Sequence, residues 1–489
     1  MTTITGTYTY HATRHPDKIA IHTTSQTIHY REWSEMVCQT ANWIDSITEV
    51  GATVGIFMPN GIAFLQLFSG IAMAGRTAAT FDAKWKPAEL EQRLTVSSPS
   101  VLITTKELAE RIQNTDAHII LWGDALEQIS TCMPSCALTV DGETPFYLGF
   151  TSGTTGLPKA FVRSHRSWVE SFACNQRDFH LDENDGVLIP GALIHSHFLY
   201  GAISTLYAGG TIYVMESFTP TLALKWMDTL PVTAMFVVPT MVEAILKENI
   251  LIRKPMTIIS SGAKWEKGSK EKIREQFLHL TMYEFYGASE LSFVSFLSDE
   301  GNRLKPNSVG QPFHNVDIQI RLENGEVASN REIGKIFIRS TMLFSGYLEP
   351  RTGTIQSIED EKGWVTVDDM GYLDENCFLY VIGREKNMIL SGGVNLFPEE
   401  IEAVLSQHPA VEEVAVVGLE DSYWGQIPVA LIKGSAPKKE LKRLCRDKLS
   451  VYKIPRKWFF VEELPYTTSG KIARRQVQQF IEAEALVHE

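Results

Sequence analysis

The chain has no paired cysteine motif, no apolar run long enough to span a bilayer, and no excess of positive charge. Six cysteines are scattered through 489 residues (Cys38, Cys132, Cys136, Cys174, Cys377 and Cys445), and none belongs to a CxxC pair. Cys132 and Cys136 form one isolated CxxxC without a second ligand pair, so zinc is not expected there and free thiols in a reducing compartment are. Lysine and arginine number 45 against 58 acidic residues, a net charge of −13, which argues against a nucleic-acid partner. An acidic chain still admits an anionic ligand where the site is locally positive. The longest apolar stretch, Gly61 to Gly75, carries Gln66 and Ser69 and stops at Arg76. It is too short for a membrane span and reads as a buried helix. The first residues, Met1 to Gly6, lack the charged and apolar regions of a secretory leader, so a cytoplasmic protein without a membrane span is expected.

What remains is ordinary globular material: 44% hydrophobic and 21% charged residues, enough for a sizeable core. In the first 140 residues short β-rich runs (Val54–Met58, Val101–Thr104, Ile119–Trp122) alternate with helical stretches such as Pro87 to Leu94. That alternation predicts an open sheet of parallel strands with crossover helices. A second unit of the same kind follows, with strands at Gly210–Val214 and Ala234–Val238, the latter stopped by Pro239. From about Ser308 to Tyr380 alternating runs separated by turn signals such as Glu323-Asn324-Gly325 predict an antiparallel, barrel-like piece. After Gly383, a helix opened by Pro398, strands at Val414–Val417 and Pro428–Ile432, and a basic helix from Lys438 to Lys448 predict a small α+β domain.

The most informative segment is Thr151-Ser152-Gly153-Thr154-Thr155-Gly156-Leu157-Pro158-Lys159. Its glycines let backbone N–H groups approach an anion, its hydroxyls add donors, and Lys159 adds a mobile positive charge, so it suits a polyphosphate tail. It is not a Walker loop, because Leu157-Pro158 separate Gly156 from Lys159; read alone, it is equally a polar linker. Tyr286-Gly287-Ala288-Ser289-Glu290 joins an aromatic face, a tight turn, a hydroxyl and a carboxylate able to hold a hard cation; alone, it is as well a strand-ending turn. Asp368-Asp369 between apolar residues, the Gly383-Arg384-Glu385-Lys386 segment, and Lys471 on a polar loop complete the set.

Taken in order, Phe150–Lys159, Ser260–Ala263, Tyr286–Glu290, Gly363–Glu375, Gly383–Glu402 and Leu464–Arg475 closely resemble the motifs of the adenylate-forming superfamily. That superfamily contains acyl-CoA synthetases, luciferases and the adenylation domains of peptide synthetases, and the chain is most similar to a bacterial acyl-CoA synthetase. The resemblance implies an α/β fold: a large N-terminal domain of two doubly wound α/β subdomains plus a small antiparallel barrel-like subdomain, then a small mobile α+β C-terminal domain. Residues 1–384 would form the core for ATP, Mg²⁺ and the acid, and residues 385–489 the mobile domain, with the hinge at Lys386.

The resemblance also implies roles. Thr151, Ser152, Gly153, Thr154, Thr155, Gly156 and Lys159 would hold the ATP phosphates, and Thr154 with Glu290 would bind Mg²⁺. Gly262, Ala263 and Tyr286, with Gly287 and Ser289, would frame the nucleotide. Asp369, or its neighbour Asp368, would take the ribose hydroxyls with Arg384. Lys471 would bridge the substrate carboxylate and the α-phosphate. Ser391, Gly392 and Gly393 would line the path of the pantetheine thiol of CoA. His195 would lie near the substrate carboxylate, with Ser196 where amino-acid-activating relatives carry an aspartate; an amino acid is therefore disfavoured, while Ser196 still suits the ring hydroxyl of an aryl acid.

Three positions depart from the usual pattern: Val367-Asp368 replaces a customary Thr-Gly, Ala160 follows Lys159 where glycine is frequent, and Lys264-Trp265 follows Ala263. The implied activity is ATP-dependent activation of a carboxylic acid to acyl-AMP and transfer to CoA, with a fatty acid as the default substrate. The alternative is loading of an aryl or fatty acid onto the pantetheine thiol of an acyl carrier protein; an oligomer is compatible with either.

Overall fold

The apolar stretch after Gly61 forms the helix Ile62–Met73, whose residues from Phe64 to Ala72 are buried. It packs so tightly on the helix Tyr30–Ile47 that a Cβ on Gly70 would lie 2.4 Å from Thr40 Cγ2. Gln66, the polar exception in the run, donates to Thr40 Oγ1 at 3.0 Å, so its burial leaves the amide donor paired. In this computed structural model, residues 2–151, 158–262, 265, 267–350, 352–391, 394–466 and 472–487 are described. The chain divides into two compact units, Met1–Ile318 with Ile338–Val365, and Gln319–Phe337 with Thr366–Glu489.

Within the first unit the described strands form two large sheets flanked by helices. An eight-stranded sheet runs, in spatial order, Ile355–Gln356, Gly346–Leu348, Lys159–Ser164, Pro145–Thr151, Thr77–Thr80, Thr53–Phe57, Val101–Thr104 and His118–Leu121. A nine-stranded sheet includes Ser292–Leu297, Leu280–Ala288, Met256–Ser260, Ala234–Val237, Gly186–Ile189 and Thr211–Val214. Several inner strands, such as Ala234–Val237 and Gly186–Ile189, are buried at every residue, as parallel strands covered on both faces must be.

The two sheets do not divide the chain where sequence periodicity places the break. The hairpin Ile19–His22 with Thr27–His29 leaves its sequence neighbours and joins the nine-stranded sheet, with Ile21 opposite Ile212. Tyr30, fully buried, anchors it there by donating to Gly210 O at 2.6 Å. Likewise Gly346–Leu348, expected in the antiparallel piece, pairs with Lys159–Ser164 in the eight-stranded sheet.

The second unit contains antiparallel strands in the order Val316–Arg321, Gly334–Ser340, Asp369–Leu373 and Leu379–Arg384; the first two begin or end across the unit boundary. A second sheet there is built on Val411–Asp421 and Gly425–Gly434. Pro398–Leu405 and Lys438–Lys448 pack on one face around Leu396, Ile401, Leu441 and Cys445. All six cysteines are unpaired. No described helix is long and apolar enough to cross a membrane.

One buried and one partly buried histidine give the fold a pH signature. His165 stacks on Phe146 at 4.9 Å, and burial pushes its pKa from 6.5 to about 3. His197 binds Val237 O at 2.9 Å and is pushed down to about 4 by burial. Both are neutral when folded, and the unfolded chain takes up their protons first as pH falls below 6.5. Stability is therefore full above that value and declines toward pH 4. In urea titrations His165→Gln should flatten the slope between pH 6 and 5 by about 1.4 kcal/mol per pH unit; an unchanged slope would show that the residue is already charged in the fold.

Candidate active site

Thr151 and Lys159 close the antiparallel pair Pro145–Thr151 and Lys159–Ser164 as directly opposed residues. Ser152, Gly153, Thr154, Thr155 and Gly156 lie outside the described residues, but their two anchors do not. The exposed Lys159 places its ammonium 4.9 Å from the centre of the Tyr347 ring, a cation–π distance. The Tyr347 hydroxyl in turn donates to Glu290 Oε1 at 2.9 Å. Strand pairing brings this about: Tyr347 lies opposite Phe161, two residues from Lys159. Tyr347 thus links a lysine and a carboxylate 131 positions apart in sequence, and sequence reasoning missed it.

Glu290 is 7% exposed and sits in the turn joining Leu280–Ala288 to Ser292–Leu297. Arg163, itself 1% exposed, holds that turn. Its guanidinium donates to the carbonyls of Ser289 and Met342, to Ser292 Oγ at 2.6 Å and to Ser167 Oγ at 3.3 Å. Burial lowers the Arg163 pKa to about 10, and the Glu290 carboxylate opposes that fall. Arg163 also went unread in the sequence, although a charged side chain inside an otherwise buried strand was a signal. At the bulge before the turn, a Cβ on Gly287 would come within 2.0 Å of Ser292 O, so no side chain fits.

Ser196 opens the helix Ser196–Ala208, with His195 as its N-cap. The Ser196 and Ser289 hydroxyls stand 3.3 Å apart, so the expected acid-binding segment and the Tyr286–Glu290 motif meet. The helix start presents unpaired N–H groups and a partial positive charge, favourable for an anion. The approach to His195 is fixed by Asn60, which accepts from Leu193 N at 2.8 Å and donates to Met215 O at 2.7 Å. Tyr286 is half-buried near the end of its strand. Gly262 is exposed with a φ of +92°, a left-handed turn that glycine permits. Ala263 lies outside the described residues.

In the second unit Asp369 and Arg384 are cross-strand partners joined at 2.9 Å from Nε to Oδ1. Asp369 is 5% exposed. Asp368 is exposed, faces Lys335 Nζ at 3.5 Å, and has a φ of +63°. The conformation explains how Asp368 replaces a glycine: aspartate tolerates the left-handed region better than most residues. Lys386 is exposed in the turn Glu385–Asn387. Ser391 is buried and pairs with Val394; Gly392, Gly393 and Lys471 lie outside the described residues. Beyond Lys471, Arg474 grips both Glu402 oxygens at 2.7 Å and Val416 O at 2.8 Å, which anchors the helix Arg474–Val487.

The family model for AMP-binding enzymes matches residues 8–348, and the model for the AMP-binding enzyme C-terminal domain matches residues 400–471. The chain is 48% identical over 480 residues to an uncharacterized acyl–CoA ligase of Bacillus subtilis, covering 98% of each. It is 30% identical over 493 residues to 2-succinylbenzoate–CoA ligase of Geobacillus kaustophilus, covering 98% of this chain and 99% of the other. Among solved structures, o-succinylbenzoate CoA synthetase of Bacillus subtilis in complex with the acyl-adenylate intermediate superposes with a TM-score of 0.87 at 26% identity, covering 96% and 97% of the two chains. The same enzyme with ATP and magnesium ion gives 0.86 at 26% identity, covering 96% and 98%.

Replacing Arg163 removes the donor to two carbonyls and two hydroxyls, of which Met342 O is buried and the Ser289 and Ser292 acceptors are partly buried. Each buried acceptor left without a partner costs about 1–3 kcal/mol. Arg163→Met should therefore lower unfolding stability by on the order of 3 kcal/mol in chemical denaturation, with Ser167→Ala far milder. Equal stability of Arg163→Met and the parent protein would show that the turn holds itself.

Proposed function

The chain belongs to the family of AMP-binding enzymes, and on that premise we propose that it joins an apolar carboxylic acid, foremost a fatty acid, to coenzyme A. It is an AMP-forming acid–thiol ligase, using ATP, Mg²⁺ and CoA. In the first step a carboxylate oxygen attacks the α-phosphorus of ATP, and the bond to pyrophosphate breaks. In the second the thiol sulfur of CoA attacks the acyl carbonyl, AMP leaves with the electron pair of the broken C–O bond, and the thiol proton passes to solvent.

The observation that carries the proposed site is the continuous link from Lys159 through Tyr347 to Glu290. It holds a phosphate-seeking cation on a strand of the eight-stranded sheet near a metal-seeking carboxylate in a turn of the nine-stranded sheet, both in one unit. Both reactants of the first step are anions, so charge neutralisation and positioning dominate the rate. Lys159, with Thr151 to Gly156, is assigned to the phosphates. Glu290 offers a buried hard oxygen oriented by a tyrosine hydroxyl, a donor that fits Mg²⁺, with Thr154 as its assigned companion. When bound, the ion would neutralise charge on the phosphate oxygens. Gly262, Ala263, Tyr286, Gly287 and Ser289 are assigned to the base and adjoining nucleotide atoms.

Asp369 is assigned to the ribose hydroxyls rather than Asp368, because it is buried and aligned by Arg384. His195 and Ser196, at a helix start, are assigned to the acid's carboxylate. Lys471 neutralises the carboxylate and α-phosphate in the first step, Ser391 to Gly393 guide the thiol in the second, and Lys386 is the pivot of the C-terminal domain from 385 onward. The cytoplasm, which holds ATP and CoA, is the proposed place of action.

A fatty acid is favoured by the buried apolar side chains that follow His195, including Phe198 and Leu199, and by Val237. An aryl acid is the second reading, supported by the 30% identity to a 2-succinylbenzoate–CoA ligase and by the free-standing hydroxyl pair of Ser196 and Ser289. Acid-dependent pyrophosphate release across C2 to C16 and aryl acids, with CoA or a carrier domain as acceptor, should peak for a medium or long aliphatic chain with CoA. A maximum for an aryl acid transfers the assignment to the second reading.

Lys471→Ala should lower acyl-adenylate formation on the order of 10²–10³-fold while thioester formation from supplied acyl-AMP is retained; equal loss of both steps would remove its assignment. Asp369→Asn should raise the KM for ATP about tenfold, the size of one lost charge-assisted hydrogen bond. Asp368→Gly should leave it within twofold, and the reverse ranking would assign the ribose to Asp368.

A further inference from the structure

Away from the proposed active-site residues, the helix His165–Asp178 carries Cys174 and Asp178 four residues apart, hence on one face. His314, just beyond the strand Gln311–Pro312, approaches them. One atom from each residue, the thiol sulfur, a carboxylate oxygen and an imidazole nitrogen, lies within 4.8 Å of the other two. His314 Nδ1 is 3.2 Å from Asp178 Oδ2. Cys174 Sγ is 3.5 Å from Asn315 Oδ1 and 3.9 Å from Met342 Sδ, and the thiol also hydrogen-bonds to Asp178. Cys174 is fully buried, while the side chains of Asp178 and His314 keep 10% and 22% of their exposure.

Asp178 occupies the last residue of its helix. The carbonyl end of a helix carries partial negative charge, so a carboxylate there is favoured by nearby cations. Arg177 in the same turn is one, and a bound metal ion would be a second, directly between the three side chains.

We propose that Cys174, Asp178 and His314 form a zinc site, with water in the fourth position on the exposed His314 side. Sulfur and imidazole together select a borderline-soft ion over Mg²⁺, and three protein ligands plus water are a common zinc arrangement. Binding forms one Zn–S, one Zn–N and one Zn–O bond and releases the Cys174 proton to solvent. The site ties the helix to the segment that follows Gln311–Pro312. It also borders Met342, whose carbonyl accepts from Arg163. The role is therefore structural, stiffening the surroundings of the Glu290 turn, and it is separate from the Mg²⁺ assigned to Glu290.

The test is cobalt(II) and zinc(II) titration of the full chain after chelator treatment and dialysis. Cobalt should bind at one equivalent with a thiolate-to-metal charge-transfer absorption, and zinc should displace it. Cys174→Ser should abolish that absorption. His314→Ala, at a partly exposed position outside the helix, should weaken binding at least tenfold. Glu290→Gln should change neither absorption nor stoichiometry. Zinc should also raise the melting temperature of the parent protein but not of His314→Ala. Absence of the charge-transfer absorption in the parent, or its persistence in both Cys174→Ser and His314→Ala, overturns the site and leaves a hydrogen-bonded thiol–carboxylate–imidazole cluster.

Discussion

The buried guanidinium of Arg163 is the interaction on which the first unit's site depends. An arginine removed from water is costly unless its donors are filled. Here they bind two carbonyls and two hydroxyls drawn from the Ser289–Ser292 turn, from Met342 and from Ser167. The turn carrying Glu290 is thereby tied to the strand that begins with Lys159. The Glu290 carboxylate lies close enough to oppose the fall that burial imposes on the Arg163 pKa. One residue thus sets the position of the turn that carries Glu290.

Around this clamp the elements follow familiar constraints. Buried parallel strands place their loops at one edge, and the residues of interest sit at strand ends: Thr151, Lys159, Gly262, Glu290 and, in the second unit, Asp369 and Arg384. Rigid strands fix the anchors, while the small and hydroxylated residues proposed to contact ligand belong to the intervening loops. Arg474 performs a comparable service in the second unit, where its bidentate grip on Glu402 secures the chain next to Lys471.

Much of this was legible from residue order. The helix Lys438–Lys448, the proline-opened helix at Pro398 and the strand Val101–Thr104 fall where pattern and turn chemistry place them. The buried helix after Gly61 was legible too, because an apolar run that carries Gln66 needs only one partner, Thr40, to be accommodated. Less legible was Asp368, whose identity departs from a glycine-bearing pattern; only the structure shows its left-handed φ, a conformation that suits glycine best. Tyr347 and Arg163 were missed because neither lies in a run whose composition announces chemistry.

The sequence by itself determined the motif set, the nucleotide chemistry it implies and the α/β character of the chain, since local hydrophobic periods and short functional segments are written in consecutive residues. The tertiary structure alone decided which sheet received the hairpin Ile19–His22 and Thr27–His29, that Gly346–Leu348 would run beside Lys159–Ser164, and that Tyr347 would stand between Lys159 and Glu290. Those outcomes depend on pairing between strands far apart in the chain. No local pattern encodes such pairing, because every exposed strand edge offers the same unpaired N–H and C=O groups.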